Sequence, residues 1–276
     1  MALARSPFST AVTYDDLNVE VRGPDDGPSL LLLHGWGSSL KTMRPLAARL
    51  SDTYQCHLID LPGHGGSPPP HEPWGVPEHA SLLHAYVQSA TTPPVPLIGH
   101  SNGGRIGLYM AATAPFANAL NRLVLISPSG VEPERSLRQR IRSGLATTLK
   151  VPFQALPEPL RTPALDWLRH SLVWRMLGSS DYNALSGVMR ETFVKTVNHH
   201  LDGELEAISI PTLVFWGTED SAVSRRQMAV LEDRIDDCGV VELEGAGHYG
   251  QLDDVATVAS GTRHFLEQAY PLAPAA

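Results

Sequence analysis

The chain has 276 residues, 42% hydrophobic and 18% charged, which is enough apolar material for one large core and too much for a disordered protein. Its formal charge of −8 argues against nucleic acid as a partner, because phosphate binding needs a concentrated positive field. The only cysteines, Cys56 and Cys238, are far apart and read as free thiols of a reducing compartment.

In chain order, the opening MALARSPFSTAV carries Pro7 and polar residues where a leader would be apolar. No run approaches the roughly 18 apolar residues of a membrane helix, so the expectation is a soluble, cytoplasmic protein with no membrane partner. AVTYDDLNVEVRG predicts an antiparallel edge hairpin. Residues 29–34, 54–61, 95–100, 122–127 and 212–216 are short, nearly continuous apolar runs, as central parallel strands are when both faces are covered. VVELEG near residue 243 adds another. Segments of helical character lie between them, in MRPLAARL, EHASLLHAYVQSA and GGRIGLYMAATA, and such alternation implies a parallel sheet with right-handed crossovers.

The alternation stops after Ser127. Residues 131–207 read as several helices broken at Pro152, Pro157, Pro159, Pro163 and Gly178, an inserted cap between 1–130 and 208–276. Residues 135–175 hold eight Arg or Lys against two acids, a net +6. A solvated helix face is the simpler reading of that charge. A final helix, VATVASGTRHFLEQA, precedes a Pro/Ala tail.

LIGHSNGG, residues 97–104, places Ser101 between Gly99 and Gly103 at the end of one predicted strand and the start of a helix. Such a turn lifts a hydroxyl above the sheet at a helix N-terminus, where negative charge is favoured. A serine needs a base, and the base an orienting acid, in the chain order serine, acid, histidine. Asp220 in FWGTED and His248 in GAGHYG both follow predicted strands. Glu219 is the rival acid, and Asp253 and Asp254 read as caps of the final helix. His71, His79 and His84 are expected on or near a surface helix. No His and carboxylate set has metal-ligand spacing, so neither a metal nor another cofactor is expected. Two backbone N–H groups must hold the oxyanion, and Asn102 and Trp36 in HGWG can supply them; a hydrophobic plug is the other reading of Trp36. Trp36, Tyr249, Trp174, Met189 and Phe193 are candidate substrate-binding residues.

HGWG (34–37), DLPGHGGS (60–67), GHSNGG (99–104), WGTED (216–220) and GAGHYGQLDD (245–254) together resemble, in order, the motifs of the α/β-hydrolase family. The resemblance implies a mostly parallel, eight-stranded-type sheet with helices on both faces and a helical lid. It also implies a Ser101–His248–Asp220 triad acting on carboxylic esters of small to medium acyl chain, in a monomer or homodimer. Serine at the elbow, where related dehalogenases and epoxide hydrolases carry aspartate, speaks against those reactions. Hydrolytic C–C cleavage, with Arg105 as the nearby cation, and a non-catalytic ligand receptor are the alternatives. HGWG and DLPGHGGS are also similar to carboxylesterases that demethylate pimeloyl esters on acyl carrier protein, although His100 and Asn102 depart from that group's GWSLGG elbow. An acidic carrier protein would give the basic cap segment a partner.

Overall fold

The computed structural model describes residues 12–133 and 187–268. Seven strands form one sheet among these residues: β1 (Val19–Arg22), β2 (Ser29–Leu33), β3 (Gln55–Ile59), β4 (Val95–His100), β5 (Leu120–Ile126), β6 (Thr212–Gly217) and β7 (Cys238–Leu243). Their order across the sheet is β1-β3-β2-β4-β5-β6-β7, all parallel except β1, which runs antiparallel to β3 with Val19 opposite Ile59. The α-helices among the described residues are α1 (Arg44–Leu50), α2 (Val76–Ala90), α3 (Asn102–Ala112), α4 (Gly187–Val197), α5 (Arg225–Arg234), the single turn α6 (Gly250–Asp253) and α7 (Val255–Glu267).

Strand side chains alternate between faces, so a continuous apolar run feeds two cores at once. Leu30 and Leu32 of β2 pack with Leu46 and Leu50 of α1 and with Val258 and Leu266 of α7. Leu31 and Leu33 belong to the opposite core, with Leu83 of α2, Ile106 of α3 and Met228 of α5. All four β2 leucines are fully buried, each contributing about 1.5–3 kcal/mol of transfer free energy. Strand order reverses between β2 and β4, and the crevice beyond their carboxyl ends is where an open parallel sheet binds ligands.

Among the described residues the expected N-terminal hairpin is not formed. Only one arm, β1, joins the sheet, while Tyr14–Asp16 makes a 3-10 turn in which Thr13 N donates to Asp16 Oδ2 at 2.9 Å. Thr and Asp bond their own backbone readily, and that local bonding competes with a ladder. Helix α2 starts two residues earlier than EHASLLHAYVQSA suggests, because Pro77 sits in its first turn and Gly75 N donates to Glu78 Oε2 at 2.7 Å.

Of the segment expected to form the cap, residues 131–133 and 187–207 are described; the basic stretch 135–175 and Trp174 lie outside the described residues. The chain near residue 131 and near residue 201 is laced together, since Leu201 N donates to Gly130 O at 2.9 Å and Glu132 N to Asp202 Oδ2 at 3.0 Å. Among the described residues no helix is long and apolar enough to cross a membrane.

His79, read as a surface residue, is buried inside the first turns of α2, with Nδ1–H donating to Gly75 O at 2.7 Å and its ring against Trp74. Burial pushes its pKa down to about 4. Burial likewise holds His34 near 4 and His100 near 3. These rings are neutral in the fold but take up protons in the unfolded chain below about pH 6.5. Their stabilisation is therefore complete above that pH and falls as pH drops toward 4, by up to about 1.4 kcal/mol per pH unit for each ring. Urea midpoints should decrease between pH 7 and 5, less steeply in His79→Asn; equal midpoints at the two pH values would contradict this burial.

Candidate active site

Ser101 occupies the turn between β4 and α3 at φ 49°, ψ −107°, a left-handed conformation that a side chain adopts only when its surroundings enforce it. The enforcement comes from close backbone packing. A Cβ on Gly99 would stand 2.6 Å from the Gly103 carbonyl, and one on Gly103 would stand 2.6 Å from Leu33 O. Ser101 N donates to Ile126 O at 3.0 Å, and Ser101 O accepts from Arg105 N and Ser129 N. The hydroxyl carrier is thus bonded to β5 and to the first turn of α3.

Asp220 and His248 reach the same end of the sheet from β6 and β7. His248 Nδ1 lies 2.9 Å from Asp220 Oδ2, and since an ionised carboxylate only accepts, Nδ1 carries the hydrogen and Nε2 the lone pair. Asp220 Oδ1 accepts from Ala222 N at 2.7 Å and Val223 N at 3.0 Å. Burial of this fully covered carboxylate works against its charge, but the His248 bond and the two amides outweigh it and hold the pKa below the usual range. Glu219, the rival acid, is exposed, and its backbone N–H bonds to Ala246 O. Asp254 does cap α7, accepting from Thr257 N, whereas Asp253 accepts from Gly247 N and so braces the histidine loop.

His100 joins this pair to the serine. Its Nε2–H donates to the backbone carbonyl of His248 at 3.0 Å, and its ring lies 5.0 Å from that of His248 and 4.9 Å from that of Tyr249. His248 therefore sits against the residue next to Ser101. Among the described residues the His248 ring is bonded through Nδ1 and not to the Ser101 hydroxyl, and such bonds commonly tighten only when substrate arrives.

The loop after β2 approaches from the other side: a Cβ on Gly35 would fall 3.1 Å from Ser101 Cβ. Among the described residues the amides of Trp36 and Asn102 make no backbone hydrogen bond, and the latter opens α3, where an N–H has no partner within the helix. His34 clamps the loop, donating from Nδ1 to Gly35 O at 2.7 Å and accepting Leu61 N–H at 3.0 Å on Nε2. Asp60, also buried, accepts from Leu40 N, Asn18 Nδ2 and Gly66 N. Burial opposes its charge, but these donors prevail and lower its pKa.

Three predicted wall residues come together. The Phe193 ring of α4 lies 5.1 Å from Trp36, Trp36 lies edge-on to His64 at 4.8 Å, and Met189 covers Gly63. Tyr249, 40% exposed, lies against His100. Trp74 is elsewhere, lining a cavity of about 410 Å³ with Tyr14, Glu78 and Leu82 that contains none of Ser101, Asp220 or His248. Arg105, weighed as a substrate cation, instead donates from Nη1 to Thr196 O at the end of α4. Sequence reasoning assigned no supporting role to His100, Asp60 or His34; their positions at strand ends were the available signal. Among the described residues no cluster of three or more His, Cys, Asp or Glu could hold a metal ion.

The family model for the alpha/beta hydrolase fold matches residues 28–255. A "Pimeloyl-[acyl-carrier protein] methyl ester esterase" of Stenotrophomonas maltophilia is 30% identical over 268 residues, covering 91% of this chain and 96% of the relative. Among solved structures, a bacterial membrane phospholipase A superposes with TM-score 0.70 at 26% identity, over 94% of this chain and 85% of that one. An enol-lactonase from Burkholderia xenovorans LB400 matches at TM-score 0.66 and 21% identity, over 91% and 96%, a likeness of fold.

The glycine contacts make the serine turn sensitive to one methyl group. Gly103→Ala forces the turn away from β2 and should cost about 1–3 kcal/mol in urea unfolding. Gly239→Ala, with open space around its Cβ, serves as the control. Equal stability of the two variants would contradict the close packing.

Proposed function

The chain belongs to the α/β hydrolase fold family, and from that premise we propose that it hydrolyses carboxylic esters of small to medium acyl chain with Ser101, His248 and Asp220 as its catalytic triad. The observation that carries this reading is the 2.9 Å Asp220–His248 bond, which presents a basic Nε2 from a loop tied to the residue beside Ser101. His248 takes the hydroxyl proton as Ser101 Oγ attacks the ester carbonyl. The amides of Trp36 and Asn102 stabilise the resulting oxyanion. His248 then protonates the departing alkoxide, and water, activated by the same ring, releases the acid from the acyl-enzyme. Trp36, Phe193 and Met189 form one apolar wall for the acyl chain, and Tyr249 stands at the alcohol side.

Asp220 supplies orientation and compensating charge while His248 is protonated. His100, His34 and His64 all have lowered pKa values, so no second ring beside the site competes for the proton. The residues between 131 and 207 act as a lid, and the C–C hydrolase alternative loses its cation because Arg105 is engaged by Thr196 O.

A second reading concerns the other half of the ester. The S. maltophilia relative is named for a carrier-protein-linked methyl ester, and the +6 segment at residues 135–175 suits an acidic carrier. On this reading a methyl ester presented on acyl carrier protein gives a higher kcat/KM than the free methyl ester, by a margin that shrinks with added salt. Equal values at low salt would remove it.

On p-nitrophenyl butyrate, Ser101→Ala should lower turnover by about three orders of magnitude or more. Asp220→Asn should lower it by about 10³–10⁴-fold. Retained turnover in Ser101→Ala, or in Asp220→Asn, would exclude this triad.

A further inference from the structure

Arg105 is placed unusually for a charged residue. It lies on α3 one turn past Ser101, is 6% exposed, and among the described residues has no carboxylate partner. Its Nε is buried without a hydrogen bond. A guanidinium taken out of water without a counter-ion is costly, and burial depresses its pKa to about 10. Something must offset that cost.

What faces it is the end of a helix. Nη1 donates to Thr196 O in the last turn of α4, where carbonyls without intrahelical partners and the negative end of the helix dipole favour a cation. The stem of Arg105 lies beside Gly130, where the insertion leaves the sheet, and its head lies where the insertion returns. Two further contacts hold α4: Trp74 N donates to Thr192 Oγ1 at 3.1 Å, and Lys195 Nζ to Pro73 O at 2.6 Å. Lys195 is exposed, whereas the Arg105 contact is buried and springs from the helix that carries the nucleophile.

We propose that Arg105 is a positioning residue that fixes α4 relative to Ser101, holds Phe193 and Met189 against the Trp36 loop, and thereby sets how well the site accepts medium acyl chains relative to short ones. This rests on the ester-hydrolase reading for its substrate and on geometry alone for its mechanics. A short acyl group reaches the oxyanion amides without touching α4; a longer one needs the wall. Lysine keeps the charge but lacks the planar fork, so it restores the contact only in part.

The test compares wild type, Arg105→Lys and Arg105→Met by amide hydrogen exchange and by kcat/KM on p-nitrophenyl acetate and octanoate. Arg105→Met should speed exchange across residues 187–197 while β4 and β5 stay protected. It should also lower the octanoate-to-acetate ratio by about tenfold, the scale of one charge-assisted hydrogen bond, with Arg105→Lys intermediate. Unchanged exchange in α4 would overturn the anchor, whether or not esters are cleaved. An equal loss on both esters would overturn the role in selectivity and leave a residue that only supports the fold. If Arg105→Met does not fold, the same readouts on Arg105→Lys decide. Failure of the ester reading is distinguishable, since it would appear as wild-type turnover unaffected by Ser101→Ala.

Discussion

The backbone at Ser101 is held at φ 49° by glycines pressed against their neighbours, and the site is arranged around that strained turn. Because Gly103 lies against the end of β2, the loop that follows β2 must pass within van der Waals contact of Ser101. Because Ser101 N is bonded to Ile126 O, the turn is also fixed to β5. On the proposed mechanism a relaxed turn would carry the hydroxyl away from the amides of Trp36 and Asn102. The cost of the strain is met by burial in two cores, since β2 and β4 are covered on both faces.

Electrostatics at the site follow from the same burial. Asp220 keeps its charge because three donors meet its two oxygens, and His248 lies beside a ring, His100, that burial keeps neutral. His34 and Asp60 behave similarly one layer out: an imidazole fixed in one tautomer and a carboxylate saturated by N–H donors brace the two loops that flank the serine. The polar groups around Ser101 and His248 are thus preorganised by bonds that water cannot easily replace.

The apolar runs of β2, β4 and β6 were legible because a doubly covered strand must be apolar throughout, and no helix pattern competes with them over so few residues. The partnership of Asp220 and His248 was legible from strand-end position. Less legible was anything decided by contact across the fold. His79 lies on the apolar face of α2 with Val76, Leu82 and Leu83, and its polar ring is tolerated there because the Gly75 carbonyl takes its Nδ1–H and Trp74 packs against it. Tyr14–Asp16 carries strand-like neighbours, yet Thr13 and Asp16 bond locally and remove one arm of the expected hairpin. Arg105 reads as an ordinary helix residue, and its partner lies 91 positions away. The contact of Phe193 with Trp36 depends on where the insertion returns to the sheet, which spacing does not encode.

The most direct measurement is covalent: treatment with a fluorophosphonate, whose phosphorus mimics the tetrahedral centre, followed by peptide mapping of the labelled site by mass spectrometry. One equivalent on the peptide containing Ser101, forming orders of magnitude more slowly in His248→Asn, is the result this account predicts. Labelling of a different serine, or an undiminished rate without the imidazole, would contradict it.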